Sequence, residues 1–171
     1  MRWKNDGTPA VAPTLPEGVG MVSFSSLDNA VDHWLDIVRF MGQEEAHARD
    51  EAYYKEAMDY KWYSEDRCFF LTVEGKPAAT ITVICDPDTK EGYIHMVACK
   101  PDYRGRGLGH LLNDVAVYAL KSAGMETANL TTDDWRIPAI KTYLKAGLYP
   151  DTESQPDFKE RWEAIYKIIN N

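Results

Sequence analysis

Apolar positions along the chain recur with two different periods. After a short apolar run at 19–24 (VGMVSF), residues 25–42 carry Val31, Trp34, Leu35 and Val38 at helical spacing. Ser25 or Ser26 can cap that helix and Gly42 can end it. A second, polar and tyrosine-rich helix is predicted over 43–63, its high charge marking a partly exposed element. The period then changes. CFFLTVE and PAATITVIC read as strands joined in a hairpin through Gly75-Lys76, and DPDTKEG turns the chain into a third strand, YIHMVAC at 93–99. A helix follows, with Leu108, Leu111, Leu112, Val115 and Ala119 on one side, Lys121 in the last turn and Gly124 as stop. TANLTT (127–132) is strand-like. IPAIKTYLKAG (137–147) is helical, with Pro138 tolerable in the first turn and Gly147 ending it. A closing helix starts with a capping-box pattern, Asp157 and Glu160. Residues 1–18, rich in Pro, Gly and small side chains, read as an extended arm. The order predicts a single mixed α/β domain over 19–171.

Composition narrows the function. The 171 residues are 44% hydrophobic and 27% charged, a globular balance, and the formal net charge is -8. An acidic chain is a poor general partner for nucleic acid or an anionic membrane, which call for broad basic surface. Positive charge is concentrated locally, at Lys100, Arg104 and Arg106. The three cysteines, Cys68, Cys85 and Cys99, lie far apart in apolar strand-like stretches. With no C-x-x-C or Cys/His spacing, they read as reduced core thiols, and no metal site is expected. The N-terminus lacks the apolar core of a signal peptide and no stretch has the length of a membrane span, so a cytoplasmic protein is expected.

Arg104-Gly105-Arg106-Gly107-Leu108-Gly109 immediately precedes the helix at 108. A helix start offers unpaired N–H groups and partial positive charge, which attract anions. Glycines let a phosphate approach those amides, successive amides can form a nest, and flanking arginines add charge-assisted hydrogen bonds. One glycine would suffice for a tight strand-to-helix turn; three point to a diphosphate cradle. The dinucleotide pattern G-x-G-x-x-G fails at His110, and no P-loop Gly-Lys-Ser/Thr is present.

The R-x-x-G-x-G pattern of residues 104–109 resembles the coenzyme A signature of the GCN5-related N-acetyltransferases. Its context agrees: an apolar strand before it, an amphipathic helix after it, and downstream AIKTYLKAGL, which is similar to the family's A-x-x-x-Y-x-x-x-G-[FL] element through Ala139, Tyr143, Gly147 and Leu148. The resemblance implies a mixed, mostly antiparallel central sheet with helices on both faces and a splay between the two central parallel strands. It implies acetyl-CoA as co-substrate, without a metal, and acyl transfer to a primary amine of a small molecule or protein. Monomer and homodimer are both compatible with it. Carried over, main-chain groups of Val97 and Cys99 pair with the pantetheine arm, Met96 lies near the thioester, and the backbone from Arg104 through Gly105, Arg106, Gly107 and Leu108 to Gly109 holds the pyrophosphate. A backbone N–H near Val97 stabilises the oxyanion, and Tyr143 protonates the leaving thiolate.

His95 is a candidate base. It lies two residues before Val97, and on a regular strand the two share a face. Arylalkylamine N-acetyltransferases carry a histidine at a similar place. A purely structural role for His95 stays open, and Glu91 and Asp133 are rival bases. His33, His47 and His110 read as helix-surface residues. Where many relatives have a coenzyme-binding asparagine, this chain has Arg136, which can serve a phosphate or pair with Asp133 or Asp134. The chain also closes on a helix where many relatives finish in a strand. Trp34, Glu44, Glu45, Tyr53, Tyr54, Tyr60 and Trp62 in the first helices could receive a cationic amine or simply form core and solvated surface. Two readings compete with an enzyme: a catalytically silent acyl-CoA sensor, and an anion- or RNA-contacting domain built on the local basic cluster, which the acidic whole disfavours.

Overall fold

The computed structural model describes residues 1–41 and 49–170. The expected meander forms at its centre: β1 (Arg2–Lys4) and β2 (Val19–Ser23) come first in the chain, then β3 (Cys68–Val73), β4 (Lys76–Cys85) and β5 (Glu91–Cys99), with β6 (Thr127–Asn129) later. The β3–β4 turn sits one residue earlier than the pattern suggests. Glu74 and Gly75 both have positive φ, 50° and 78°, as a two-residue hairpin turn matched to strand twist requires. The six strands lie in the order β1-β6-β5-β4-β3-β2. Among the described residues only β5 and β6 run parallel, giving the mixed and mostly antiparallel sheet that the resemblance implies.

Helices cover both faces. On one, α3 (Leu108–Ser122) buries Leu111, Leu112, Val115 and Leu120 against Ile81 and Val83 of β4. Each such side chain contributes about 1.5–3 kcal/mol when fully buried. On the other, α1 (Ala30–Val38) places Trp34, Ile37 and Val38 against Phe70 and Met96, next to α2 (Glu51–Ala57). Outside these layers, α4 (Ile137–Lys145) and α5 (Phe158–Ile169) share a small cluster of Ile140, Trp162 and Ile165. No helix among the described residues is long and apolar enough to cross a membrane.

Several local expectations are corrected. Ser25 and Ser26 do not cap α1. They lie in a 3₁₀ turn, bonded to Ser23 and Asp66, and α1 begins behind Asn29 at φ 53°. The second helix is short, capped by the Asp50 carboxylate accepting from the Tyr53 amide at 3.0 Å, and 58–63 are not helical. Gly42, Glu44, Glu45 and His47 fall outside the described residues. Asp157 does not cap α5 through its side chain; its carboxylate accepts from Arg161 at 3.4 Å. Within the extended arm, and compatible with that reading, Arg2–Lys4 form an edge strand: Trp3 is buried, and Arg2 pairs by both backbone groups with Tyr149.

Candidate active site

Strand β5 is interrupted. Thr82 of β4 pairs with His95 and Thr80 with Ala98, so Met96 and Val97 together oppose Ile81. Met96 takes φ 52°, the left-handed conformation of a bulge residue. The extra residue shifts the alternation. Ile94 packs on the α3 face, Met96 and Ala98 pack on the α1 face, and Val97 and Cys99 return to the α3 face. His95, opposite Thr82, lies on the α1 face. The expectation that His95 and Val97 face the same side is therefore wrong, because two residues of spacing preserve a face only in an unbulged strand.

The pairing of β5 with β6 ends at Tyr93 and Asn129. Beyond that point the segments separate, and a cavity of 280 Å³ opens between β5 and residues 130–133. A larger cavity of 720 Å³ runs from the end of β5 past the glycine turn to α4. The two share Met41, Val97, Arg136 and Tyr143 and so form one cleft. Since the gap passes through the sheet, residues from both faces of β5 reach it.

Tyr143 stands at the junction, 6% exposed. Burial pushes its phenol up to about 12, against the opposing charge of Arg136. His95 lines the smaller cavity, and its Nε2 lies 2.8 Å from the Ala57 carbonyl oxygen. A carbonyl only accepts, so Nε2 carries the proton and Nδ1 keeps its lone pair in the neutral ring. Burial lowers the pKa of His95, outweighing the hydrogen bond, and so favours that neutral form. Rings of Tyr60 and Tyr93 flank it, with centroids at 5.1 and 5.2 Å. Asp133 lines the smaller cavity, whereas Glu91 lines neither cavity and accepts from Asn129 at 3.0 Å.

At the other end of the cleft, Gly105 and Gly107 have φ 76° and 81° and open space where a Cβ would stand. Gly107 caps α3, and the amides of residues 105–109 donate to no protein acceptor among the described residues. Leu108 is buried beneath the turn and Gly109 faces Thr142 of α4. The basic cluster is partly committed. Lys100 pairs with Asp36 at 2.5 Å, and Arg104 donates to the carbonyls of Cys99 (3.3 Å) and Phe40 (3.0 Å), bracing the turn against the end of α1. Arg106 donates to the Asp102 carbonyl and lies over the Tyr103 ring. Arg136 pairs with Asp133 at 2.9 Å, while Asp134 goes to Arg161. Among the described residues no cluster of three or more His, Cys, Asp or Glu is placed to hold a metal ion.

The cleft also contains residues that the sequence pattern does not single out. Met41 carries no signal at all. Thr131 and Thr132 can be placed only as the end of a strand, yet they line the gap, and Trp135 and Thr142 line the larger cavity.

Known proteins resemble this chain in sequence and in fold. A mycothiol acetyltransferase of Actinosynnema mirum is 30% identical over 151 residues, 86% of this chain and 50% of that protein. The chain thus spans about half the length of the curated relatives it matches. Among solved structures, the ribosomal-protein-S18-alanine N-acetyltransferase of Escherichia coli superposes with a TM-score of 0.63 at 23% identity, covering 78% of this chain and 79% of that one. The N-acetylglutamate synthase of Neisseria gonorrhoeae, complexed with coenzyme A and N-acetyl-glutamate, superposes with a TM-score of 0.59 at 13% identity, covering 87% of this chain and 32% of that one. Those structural likenesses concern the fold alone. The acetyltransferase (GNAT) family model matches residues 31–148, well over half of the sequence, and the chain belongs to that family.

Proposed function

We propose that the chain is an N-acetyltransferase that moves an acetyl group from acetyl-CoA to a primary amine by direct attack in a ternary complex. The observation that carries this reading is the single cleft joining an open glycine turn, a bulged strand edge and a buried, protonated tyrosine. The residues fit the co-substrate. The space left by the missing Cβ atoms of Gly105 and Gly107 admits a pyrophosphate to the amides of residues 105–109, with Arg104 and Arg106 beside it. Main-chain groups of Val97 and Cys99 are available to the pantetheine arm, and Arg136, which lines both cavities, would serve a phosphate of the co-substrate.

Acetyl-CoA supplies an activated thioester. The bulge takes backbone groups at Met96 and Val97 out of the ladder, and an amide there polarises the acyl carbonyl. The amine nitrogen forms its bond to carbon as the C–S bond breaks and the electron pair leaves on sulfur. Tyr143 gives its phenolic proton to that sulfur. His95 takes the amine's proton at Nδ1, directly or through water. Holding both reactants in one cleft removes much of the entropic barrier.

Release of free thiol from acetyl-CoA over a panel of amines, alongside calorimetry with coenzyme A, tests the reading. Amine-dependent thiol release is expected. Binding without turnover on any amine would instead mark an acyl-CoA sensor, and no binding at all would remove both.

A further inference from the structure

Trp135 is the most exposed aromatic side chain among the described residues, at 60%, and it lines the larger cavity without reaching the smaller one. A single exposed apolar side chain is ordinary on a protein surface. This one is held in place without being buried. It stands in a tight turn closed by the Arg136 amide, which donates to the Asp133 carbonyl at 3.1 Å. The Arg136 guanidinium lies over the indole, 4.9 Å from the ring centroid. On the other side of Trp135 in the chain, both carboxylate oxygens of Asp134 accept from Arg161, through Nε and Nη2, each at 2.8 Å. That pair is half-exposed and adds little stability, but its two parallel bonds fix direction. Arg161 belongs to α5, which packs on α4 through Ile140, Trp162 and Ile165. The closing helix, which stands where many relatives finish in a strand, therefore braces the turn that presents Trp135.

Depth along the cleft says which part of a donor meets the indole. Leu108 and Tyr143 are buried, whereas Trp135 is at the rim. A donor whose reactive end reaches Tyr143 leaves its opposite end at the rim. With the pyrophosphate on the glycine turn, the portion beyond it is the adenosine. Adenine is the only flat aromatic part of that donor, and an exposed indole is a stacking surface for a flat base. Pantetheine is a flexible chain of amides whose partners lie deeper, on β5. A platform already fixed by its neighbours spares the cost of ordering it on binding.

We propose that Trp135 is a donor-binding residue whose indole stacks on the adenine of the acyl donor, and that Arg161 of α5 is the positioning residue that holds it there. This rests on the acetyl-CoA reading above.

Coenzyme A and its two halves, phosphopantetheine and adenosine bisphosphate, separate the contacts by calorimetry. Trp135→Ala should raise the Kd of coenzyme A about tenfold, the loss expected for one stacked base, and Trp135→Phe should keep most of the affinity. Trp135→Ala should also weaken adenosine bisphosphate while leaving phosphopantetheine unchanged. Arg161→Gln should weaken coenzyme A in the otherwise wild-type chain and cost nothing further in the Trp135→Ala background. Losses that simply add would overturn the positioning role of Arg161. If Trp135→Ala weakens phosphopantetheine as much as coenzyme A, the indole meets the pantetheine arm; if it weakens neither, the indole meets no part of the donor. Either result overturns the proposal while coenzyme A binding and amine acetylation still stand. Failure of the wild type to bind coenzyme A at all would overturn the underlying reading along with it.

Discussion

Tyr143 owes its proposed role to where it is buried. With its phenol pushed up to about 12, it keeps its proton throughout the neutral range and has it available to donate. Tyr143→Phe should lower kcat by about a hundredfold, a typical contribution of a general acid, while leaving the coenzyme A Kd unchanged by calorimetry. His95 works in the opposite sense. Its pKa is lowered by burial, so the ring is neutral and able to accept a proton above that lowered value. The acid limb of kcat/KM should therefore fall below about pH 6.5, the unperturbed histidine value, and His95→Gln should abolish the limb. The same shift bears on stability. The unfolded chain binds the proton first as pH falls, so the contribution is complete above the unfolded pKa and is lost as pH falls through the folded one. Urea midpoints of wild type and His95→Gln should converge on the acid side. Tyr143 is legible in the sequence because Ala139, Tyr143, Gly147 and Leu148 resemble the family's A-x-x-x-Y-x-x-x-G-[FL] element. The surroundings of His95 are not, since they depend on a bulge that nothing in YIHMVAC announces.

Two elements shape the cleft, and they differ in how openly the sequence declares them. The glycine turn is open to reading: three glycines before an amphipathic run are more than a tight turn needs, and Gly105 and Gly107 both adopt positive φ. Gly107→Ala should cost about 1–2 kcal/mol of stability through its left-handed backbone. Gly107→Trp should go further and abolish coenzyme A binding, because its side chain would fill the space now empty beside the turn; calorimetry reads both effects. The bulge is hidden. A methionine at φ 52° is held there by the register of β4 on either side, not by its own preference. A β-branched residue tolerates that conformation poorly. Met96→Ile should therefore lower the melting temperature by several degrees, about 2–4 °C for each kcal/mol lost in a domain of this size, and depress acetyl transfer more than stability. The helix starts depart from their sequence pattern for a related reason. Serine and aspartate side chains find local partners, Ser23 and Arg161, that compete with the capping role.

At the scale of the whole molecule, the sheet is held from its far edge. Three residues, Arg-Trp-Lys, are too few to show a strand period, so β1 becomes visible only once β6 and Tyr149 are in place to bond it. Trp3 is 4% exposed and packs into the α3-side core. Trp3→Ala should cost about 3–5 kcal/mol in urea unfolding, as large-to-small core changes do. Because β6 meets β5 over only three residue pairs, the loss should also loosen the wall of the cleft. The early parting of β5 and β6 has a broader consequence. It leaves an internal edge whose peptide groups are open to whatever occupies the gap, so a bound co-substrate would become a structural member of the fold. Folding and acyl-donor supply would then be linked: at a hundred times its Kd the donor would add about 2.7 kcal/mol to stability. The melting temperature would then act as a gauge of donor concentration, and a starved molecule would be the first to unravel.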